Sequence, residues 1–231
     1  MAKRFDKAQP APPPEGSVIS SLGPSAGDER VIAVRIGRRT YAKIRAEDVP
    51  PLGLFVGQPV TPKLLEDIHQ AAIKARGRRY AINALSTRGM SARTLTTKLK
   101  RKGVSEASAR HIAEDLADKG VLDESGYARA VAESELNRKP AGKMLLLIKL
   151  RQRGVTDANA KKAVERVLES TNHDPKQLAL ELARKKLRLL SRVKDPAAVR
   201  RRLYGQLARR GFDSDTCRWA MQQVFKADAD D

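Results

Sequence analysis

The chain contains 231 residues, of which 46 are lysine or arginine and 27 are aspartate or glutamate, so its net charge is +19. This excess of positive charge weakens the compact state by self-repulsion and favours a polyanionic partner such as DNA, RNA or an anionic membrane. A membrane-spanning helix is excluded, because the longest aliphatic run, Met144 to Ile148, is far shorter than the roughly 18 residues such a helix needs. The single cysteine excludes an internal disulfide. With no apolar signal segment near the first residues, we expect a cytoplasmic protein.

Residue patterns typical of catalysis or metal binding do not occur in the sequence. The histidines His69, His111 and His173 are about 40 to 60 residues apart, and no histidines or cysteines have the spacing of a metal site. Glycine-rich phosphate loops and nucleophile motifs are also missing. We therefore predict a protein that is not an enzyme and that uses neither a cofactor nor a metal.

The two ends of the chain have the composition of tails. Residues 1–16 contain four prolines and no apolar periodicity, which is typical of a disordered segment. Residues 227–231 are mainly aspartate and are predicted to be a solvated acidic tail.

Residues 17–60 are predicted to form a small β-rich region. Apolar residues alternate from Ile32 to Ile36 and again from Thr40 to Ile44, and the intervening glycine turn indicates a β-hairpin. Val18–Leu22 could supply a third strand. Prolines and glycines between 50 and 59 then form a linker.

From Thr61 onward the signals are those of successive helices. Residues 61–77 are predicted to be a connecting helix, with a threonine cap followed by proline at the first helical position. Further helix starts are predicted at polar capping residues and helix ends at glycines. The starts are Ser91, Ser105, Asp123, Thr156, Asp174, Asp195 and Asp213, and the ends are Gly103, Gly120, Gly154 and Gly211.

The helical part contains a threefold internal repeat. When the chain is aligned on Gly103, Gly154 and Gly211, a leucine precedes each glycine by eight and by four residues, and an apolar residue and a capping residue follow it. Leucines four residues apart share one helix face, and the glycine permits a left-handed turn into the next helix. The leucines are Leu95 and Leu99, Leu146 and Leu150, and Leu203 and Leu207.

With one more helix before each leucine pair, every unit has three helices. Units of this size bury too little surface alone, so we predict a mostly α protein with three tandem three-helix repeats in an elongated array, preceded by a β-hairpin or three-stranded region. The predicted limits of the repeats are residues 78–136, 137–190 and 191–226.

Three sequence blocks in the first two repeats resemble those of the RecX family, which regulates the bacterial recombinase RecA. SARTLTTKLKRKGV at 91–104 resembles the family block S-x-x-x-L-x-x-K-L-x-x-K-G. GVLDESGYA at 120–128 is similar to G-x-L-D-D-x-x-[FY]-A. GKMLLLIKLRQRGV at 142–155 resembles G-x-x-x-I-x-x-x-L-x-x-x-G-[VI].

The resemblance extends over roughly residues 78–226 and implies three tandem three-helix units. It also implies binding within the groove of the RecA–DNA filament and a role in recombination, DNA repair and the SOS response. Some longer family members carry a β-rich N-terminal extension, in agreement with the predicted hairpin. Two features depart from the family: Glu124 stands where a second aspartate is usual, and the third repeat keeps only the leucine–glycine skeleton and Trp219.

Basic residues cluster before the aligned glycines and within later helices. Residues 138–210 contain 21 basic and 6 acidic residues, a net charge of +15. Cations in the last helical turn are stabilised by the macrodipole by about 0.3–1 kcal/mol each, so some of them could serve the helix alone. Runs elsewhere in helices, such as Arg184 to Lys186 and Arg200 to Arg202, indicate a partner instead. The predicted partner- or DNA-binding surface comprises Lys100, Arg101, Lys102, Lys149, Arg151, Arg153, Arg184, Lys185, Arg188, Arg200, Arg201, Arg209 and Arg210.

Sequence-specific DNA reading is disfavoured. In a helix-turn-helix motif the second helix should carry cations to the groove, but the helix after Gly103 carries Glu106, Glu114 and Asp115. Aromatic residues make up 4% of the chain, so base stacking has few candidates, and Tyr127 and Trp219 are interpreted as core residues.

The sequence thus predicts a monomeric, cytoplasmic regulator that binds the RecA filament and also single- and double-stranded DNA, but no membrane. One alternative is an architectural protein that binds DNA without sequence preference and without a dedicated protein partner. A purely helical scaffold is another, although it leaves the charge of residues 138–210 unexplained.

Overall fold

The computed structural model describes Phe5, residues 10–170 and residues 174–227, and within them the chain is mostly α-helical, as predicted. It divides into two compact units, Met1–Leu122 and Asp123–Asp231. The described part contains no helix long and apolar enough to cross a membrane. The elements are β1 (Ile19–Ser25), β2 (Asp28–Ile36), β3 (Arg39–Arg45), α1 (Pro62–Thr87), α2 (Ala92–Arg101), α3 (Glu106–Asp118), α4 (Glu124–Arg138), α5 (Lys143–Gln152), α6 (Asp157–Ser170), α7 (Pro175–Leu189), α8 (Pro196–Arg209) and α9 (Ser214–Ala227).

The N-terminal strands form one antiparallel sheet in the order β1-β2-β3. The predicted hairpin is confirmed: Ile32 pairs with Ile44, Val34 pairs with Ala42, and the chain reverses at Gly37, whose φ is 60°. The third strand is also confirmed, since β1 pairs with β2. A sheet this small needs a buried apolar face to be stable. Its buried face therefore packs on the first half of α1.

Helix α1 belongs to two cores at once. Thr61 caps it by accepting a hydrogen bond from the Leu64 amide, and the helix then continues for 26 residues. Ile68 is fully buried against the sheet, whereas Ile73 packs with α2 and α3. The helix passes unbroken through Gly77, where the predicted connecting helix ended. Gly77 is buried, and a Cβ atom there would lie against Val104, Ile112 and Leu99 of the first bundle.

The helices form three bundles, each with its own buried cluster: the first bundle is α1–α3, the second is α4–α6 and the third is α7–α9. The limits predicted from the sequence differ from this grouping, because residue 136 lies inside α4 and residue 190 closes α7. The aligned glycines mark the turn between the second and third helix of each bundle. They do not indicate where the first helix of a bundle begins.

The turns at the aligned glycines have the predicted geometry. Gly103, Gly154 and Gly211 have φ values of 92°, 78° and 80°, which glycine adopts without steric cost. In each turn the residue after the glycine donates its amide to the carbonyl of the second leucine, for example Val155 to Leu150 at 3.1 Å. All six repeat leucines are fully buried, as the repeat predicted. Side chain and backbone thus hold each helix end at the same leucine.

The second and third bundles meet at a backbone contact between two glycines. The Gly142 amide donates to the Arg210 carbonyl at 2.8 Å, and the Met144 amide donates to the Gly211 carbonyl at 3.2 Å. A Cβ atom at Gly142 would overlap the Gly211 carbonyl, and one at Gly211 would overlap the backbone of Leu145. The start of α5 therefore docks on the α8–α9 turn only because neither glycine has a side chain.

Phe5 shows that the predicted tail makes a specific contact with the first bundle. Its amide donates to the Lys102 carbonyl at 2.6 Å, and its ring meets Tyr80 edge to face at 6.1 Å. Lys102 and Arg210 each directly precede an aligned glycine. The carbonyl of each accepts an amide from a distant segment, from Phe5 and from Gly142 respectively. The remaining tail predictions at 1–4, 6–9 and 228–231 lie outside the described residues.

We expect Leu150→Ala to lower the free energy of unfolding by about 2–5 kcal/mol, because it leaves a cavity in the second core. Urea denaturation measures the loss. Leu189→Ala is the control, since Leu189 is 70% exposed and its truncation should cost less than about 0.5 kcal/mol. Equal losses in the two variants would contradict the burial of Leu150.

We expect Gly142→Ala to destabilise the second compact unit by about 1–3 kcal/mol, because the added methyl group forces α5 away from the α8–α9 turn. The matched control is Gly205→Ala inside α8, where the nearest atom is the flexible end of Arg209 at 3.4 Å. Alanine there should stabilise the helix by about 0.5–1 kcal/mol. The melting temperatures of both variants test this expectation. A higher melting temperature for Gly142→Ala would refute the close contact between Gly142 and Gly211.

Candidate nucleic-acid interface

The predicted basic residues of the first bundle lie at the end of α2. The Lys100 ammonium forms an ion pair with Glu106 at 2.8 Å, across the turn at Gly103. The Lys102 ammonium lies over the rings of Phe5 and Tyr80, at 5.6 and 5.2 Å from their centroids. Arg101 is exposed and forms no ion pair among the described residues. Two of the three cations therefore already have partners within the protein.

The same arrangement recurs in the second bundle. Arg151 donates to Asp157 at 2.6 Å across the turn at Gly154. Arg153 lies 3.5 Å from Glu135 on α4, and Lys149 is half-buried. The hydrogen bond from Arg151 lowers the pKa of the Asp157 carboxyl, as the bond from Lys100 lowers the pKa of Glu106 in the first bundle. In both bundles a cation three residues before the glycine pairs with an acid three residues after it.

The third bundle lacks this pair. The corresponding positions around Gly211 are Ala208 and Ser214, so no charge crosses the turn. Arg209 is exposed. Arg210 instead donates to the carbonyls of Pro140 at 2.7 Å and Lys139 at 2.9 Å, so its side chain holds the loop before α5.

The other predicted residues of the third bundle lie exposed on α7 and α8. Arg184, Lys185 and Arg188 are on α7, and none of them has an ion pair within the part of the chain that the structure describes. Arg201 is equally free on α8, while the Arg200 guanidinium lies 4.8 Å from the centre of the Phe225 ring. A cation held over an aromatic face keeps its charge and gains a preferred position.

The charge imbalance of the third bundle has a structural origin. Residues 174–227 contain 14 basic and 5 acidic residues. Asp174, Asp195 and Asp213 are helix caps that accept backbone amides at 2.9, 2.9 and 2.7 Å. In the described chain the only cation of this bundle with an ion pair is Arg218, which pairs with Asp215. Most of the positive charge is therefore available to an external anion.

Carboxylates neutralise cations most completely in the first bundle. The Asp115 carboxylate on α3 accepts a hydrogen bond from the Lys119 ammonium at 2.6 Å and also forms an ion pair with Arg78. The hydrogen bond from Lys119, and secondly that from Arg78, lower the pKa of Asp115 to about 2 despite partial desolvation. Glu106 similarly lies between Lys100 and Arg110. This acidic helix does not offer a cationic surface, which agrees with the sequence argument against a DNA-reading helix.

The described residues contain no group of three histidine, cysteine or carboxylate side chains that could hold a metal. Cys217 is buried beside the Phe212 carbonyl at 3.6 Å, and burial raises the pKa of its thiol. His69 is buried and His111 is exposed, while His173 lies outside the described residues.

Two residues of a surface groove on the third bundle were not predicted from the sequence. Tyr204 on α8 is exposed near Arg200 and Arg201, and Arg218 reaches the same groove from α9. The spacing of Tyr204 from the two arginines, four and three residues, could have indicated a shared helix face. Arg218 could not be placed there without the packing of α9.

Comparison with known proteins gives consistent results. Residues 174–221 match the family model described as RecX, third three-helix domain. The chain is 32% identical over 147 residues to the regulatory protein RecX of Chlorobium phaeobacteroides (strain BS1), covering 64% of this chain and 92% of that protein. It is 33% identical over 145 residues to the regulatory protein RecX of Prosthecochloris aestuarii, covering 63% and 91%.

Solved structures share the fold. A crystal structure of regulatory protein RecX superposes with a TM-score of 0.68 at 18% identity, covering 87% of this chain and 96% of that one. RecX from Lactobacillus salivarius superposes with a TM-score of 0.55 at 19% identity, covering 66% and 96%. At such low identity the two structures support the architecture alone.

We expect Asp115→Asn to destabilise the first compact unit at pH 7, and the difference from the wild type to shrink as the pH falls from about 4 towards 2. The folded state lowers this pKa from 3.8 to about 2, so the carboxylate stabilises the protein above pH 4 and ceases to do so once it is protonated. Urea denaturation at several pH values tests this. Asp118→Asn, at an exposed position without an ion pair among the described residues of α3, is the control. A difference that does not change with pH would refute the ion-pair explanation.

Proposed function

Because the chain belongs to the RecX family of regulatory proteins, we propose that it is a non-catalytic, monomeric, cytoplasmic regulator that binds the RecA–DNA filament and restrains recombination and repair. The observation that carries the proposal is the set of exposed cations on α7 and α8 that have no ion pair among the described residues. These are Arg184, Lys185, Arg188, Arg201 and, next to Phe225, Arg200.

Unpaired arginines and lysines are suited to phosphate for a simple energetic reason. A cation that already has a carboxylate partner must break that contact before it can bind a phosphate, whereas an exposed free cation only releases water and counterions. Lys100, Arg151 and Arg153 belong to the first class, and the α7 and α8 residues belong to the second. The third bundle is therefore the proposed main contact with the DNA of the filament.

A protein partner beside the DNA would strengthen binding. Individually weak sites on one chain act at high effective concentration once the first site is engaged. The exposed cations of the second bundle, among them Lys161, Lys162 and Arg166 on α6, could add such secondary contacts. Tight binding to the filament would then oppose the changes that strand exchange requires, which is the proposed basis of inhibition.

The second candidate is a DNA-binding architectural protein without a dedicated partner. The same free cations favour it, since phosphate contacts alone carry no sequence or partner information. Both candidates predict DNA binding without sequence preference and with a steep salt dependence. If six to ten phosphates are neutralised, affinity should fall about 10³–10⁵-fold between 50 and 200 mM salt. Only a comparison of filament with bare DNA separates them.

We expect RecA assembled on DNA to bind the protein more tightly than bare DNA does at the same salt, and the RecA ATPase and strand exchange to fall. Replacing Arg184, Arg200 and Arg201 by glutamine should weaken filament binding at least about 10-fold, because the variant can no longer form three charge-assisted hydrogen bonds to phosphate. The control replaces Lys161, Lys162 and Arg166, which removes the same charge from α6. Its effect should be several-fold smaller.

Melting temperatures of both triple variants should stay near that of the wild type, because none of the six side chains has an ion pair among the described residues. Arg151 and Arg153 are not suitable for this test, since their pairs with Asp157 and Glu135 also hold the fold. If filament and bare DNA compete equally, and inhibition follows DNA occupancy, the architectural alternative is correct. If the two triple variants weaken binding equally, the third bundle is not the main contact with the DNA of the filament.

A further inference from the structure

A groove of about 430 Å³ runs between α8 and α9 on the surface of the third bundle. Its lining combines three arginines with one aromatic, one thioether and one amide side chain, and none of these is acidic. The lining residues are Arg200, Arg201, Tyr204, Arg218, Met221 and Gln222.

The aromatic ring in this groove is accessible. Tyr204 is 37% exposed, whereas Leu203 beside it is fully buried in the core of the bundle. Tyr204 thus lies at the edge of the apolar face of α8, with Met221 opposite on α9. A ring and a thioether at one site offer a surface for a planar apolar group.

The arginines around the ring are oriented and available. Arg200 is held over Phe225 at 4.8 Å, and Arg201 has no ion pair in the described chain. Arg218 pairs with Asp215, but its side chain is 67% exposed and that of Asp215 is 86% exposed, so the pair contributes little and can be exchanged for a phosphate. Guanidinium groups bind phosphate oxygens in pairs of hydrogen bonds.

A planar group flanked by anions at fixed intervals is the chemistry of a nucleic-acid strand. In a duplex both faces of each base are covered by its neighbours, so the partly exposed ring of Tyr204 can stack only on an unpaired base. An acidic peptide would use the arginines, but it offers a planar group to Tyr204 only where it carries an aromatic residue, whereas a nucleic-acid strand carries a base at every unit. The combination therefore favours a single strand over a duplex and over an acidic peptide.

We infer that the α8–α9 groove binds single-stranded nucleic acid, with a base stacked on Tyr204 against Met221 and the flanking phosphates held by Arg200, Arg201 and Arg218. This inference rests on the proposed function and refines it, because it assigns the third bundle a preference for unpaired strand. It also makes Tyr204 a candidate for base stacking in a chain with few aromatic residues. Tyr127 and Trp219 do pack against the cores of their bundles, but Tyr204 does not share that role.

The test measures binding of the full chain to a fluorescent thymidine oligomer, to an abasic oligomer of the same length and to a duplex, by anisotropy. The wild type should bind the thymidine oligomer about 5- to 20-fold more tightly than the abasic one, which is the contribution of base stacking at an exposed ring. Tyr204→Leu should lose this preference while its affinity for the abasic oligomer stays within about 2-fold. Tyr204→Phe, the matched control, should retain it.

A second arm tests the arginines. Arg218→Gln should lower the slope of log affinity against log salt by about 0.7, the amount that corresponds to one neutralised phosphate of a single strand. Arg38→Gln in the β2–β3 turn, an exposed residue outside the proposed binding surface, is the control for removing one charge and should leave the slope unchanged. An unchanged slope in Arg218→Gln would overturn the phosphate role of that residue.

The failure of this inference is distinguishable from the failure of the proposed function. If Tyr204→Leu binds the thymidine oligomer as the wild type does, the groove is not a base-binding site, whether or not the wild type inhibits RecA. If the wild type shows no preference for the filament, the regulatory role fails. Even then, the comparison of the thymidine oligomer with the abasic oligomer shows whether the groove binds a base. A melting temperature of Tyr204→Leu close to the wild-type value ensures that a weaker affinity reflects binding.

Discussion

The structure depends on one repeated interaction, the hydrogen bond from the residue after each aligned glycine to the carbonyl of a buried leucine. In the three turns this bond closes the end of one helix. Gly103, Gly154 and Gly211 reverse the chain in the left-handed conformation, and a polar cap then starts the next helix. Since the same leucine is also fully buried by its side chain, core packing and helix termination reinforce each other. In two of these turns the carbonyl just before the glycine also accepts an amide from elsewhere in the chain. Lys102 offers it to Phe5 and Arg210 offers it to Gly142, so the turn that closes a bundle also accepts a distant segment.

Charge is distributed over this common framework in two ways. The first and second bundles place a cation and an acid three residues on either side of the glycine, and the resulting ion pairs occupy Lys100 and Arg151. The third bundle has Ala208 and Ser214 at these positions, and three of its five acids cap helices. Capping satisfies backbone amides rather than side-chain cations. The framework of the third bundle is therefore completed with a single arginine ion pair among its described residues, Arg218 with Asp215. This is the physical basis for proposing that the bundle contacts nucleic acid.

Family membership and surface chemistry support different parts of the functional proposal. The RecX relatives indicate a regulatory protein, whereas the free cations and the α8–α9 groove indicate what the third bundle can bind. A stacked base at Tyr204 would let the protein distinguish unpaired strand from duplex by geometry alone, without reading sequence. Phosphate contacts on α7 and α8 would supply most of the affinity, and the ring would supply the selectivity.

The sequence by itself determined the helices, the caps, the glycine turns, the hairpin and the buried leucines, because each depends on residues close together in the chain. Periodicity, capping and left-handed turns act at short range, so they can be recognised without a structure. Only the tertiary structure decided which predicted cations are free. Arg210 hydrogen-bonds to Pro140, Lys102 lies over Phe5, and Arg153 approaches Glu135, and in each case the partner comes from a remote segment. The groove that unites Tyr204 with Arg218 was hidden for the same reason, since it exists only where α9 packs beside α8. Helical spacing can place Arg200, Arg201 and Tyr204 on one face of α8, but only long-range packing brings Arg218 of α9 beside them.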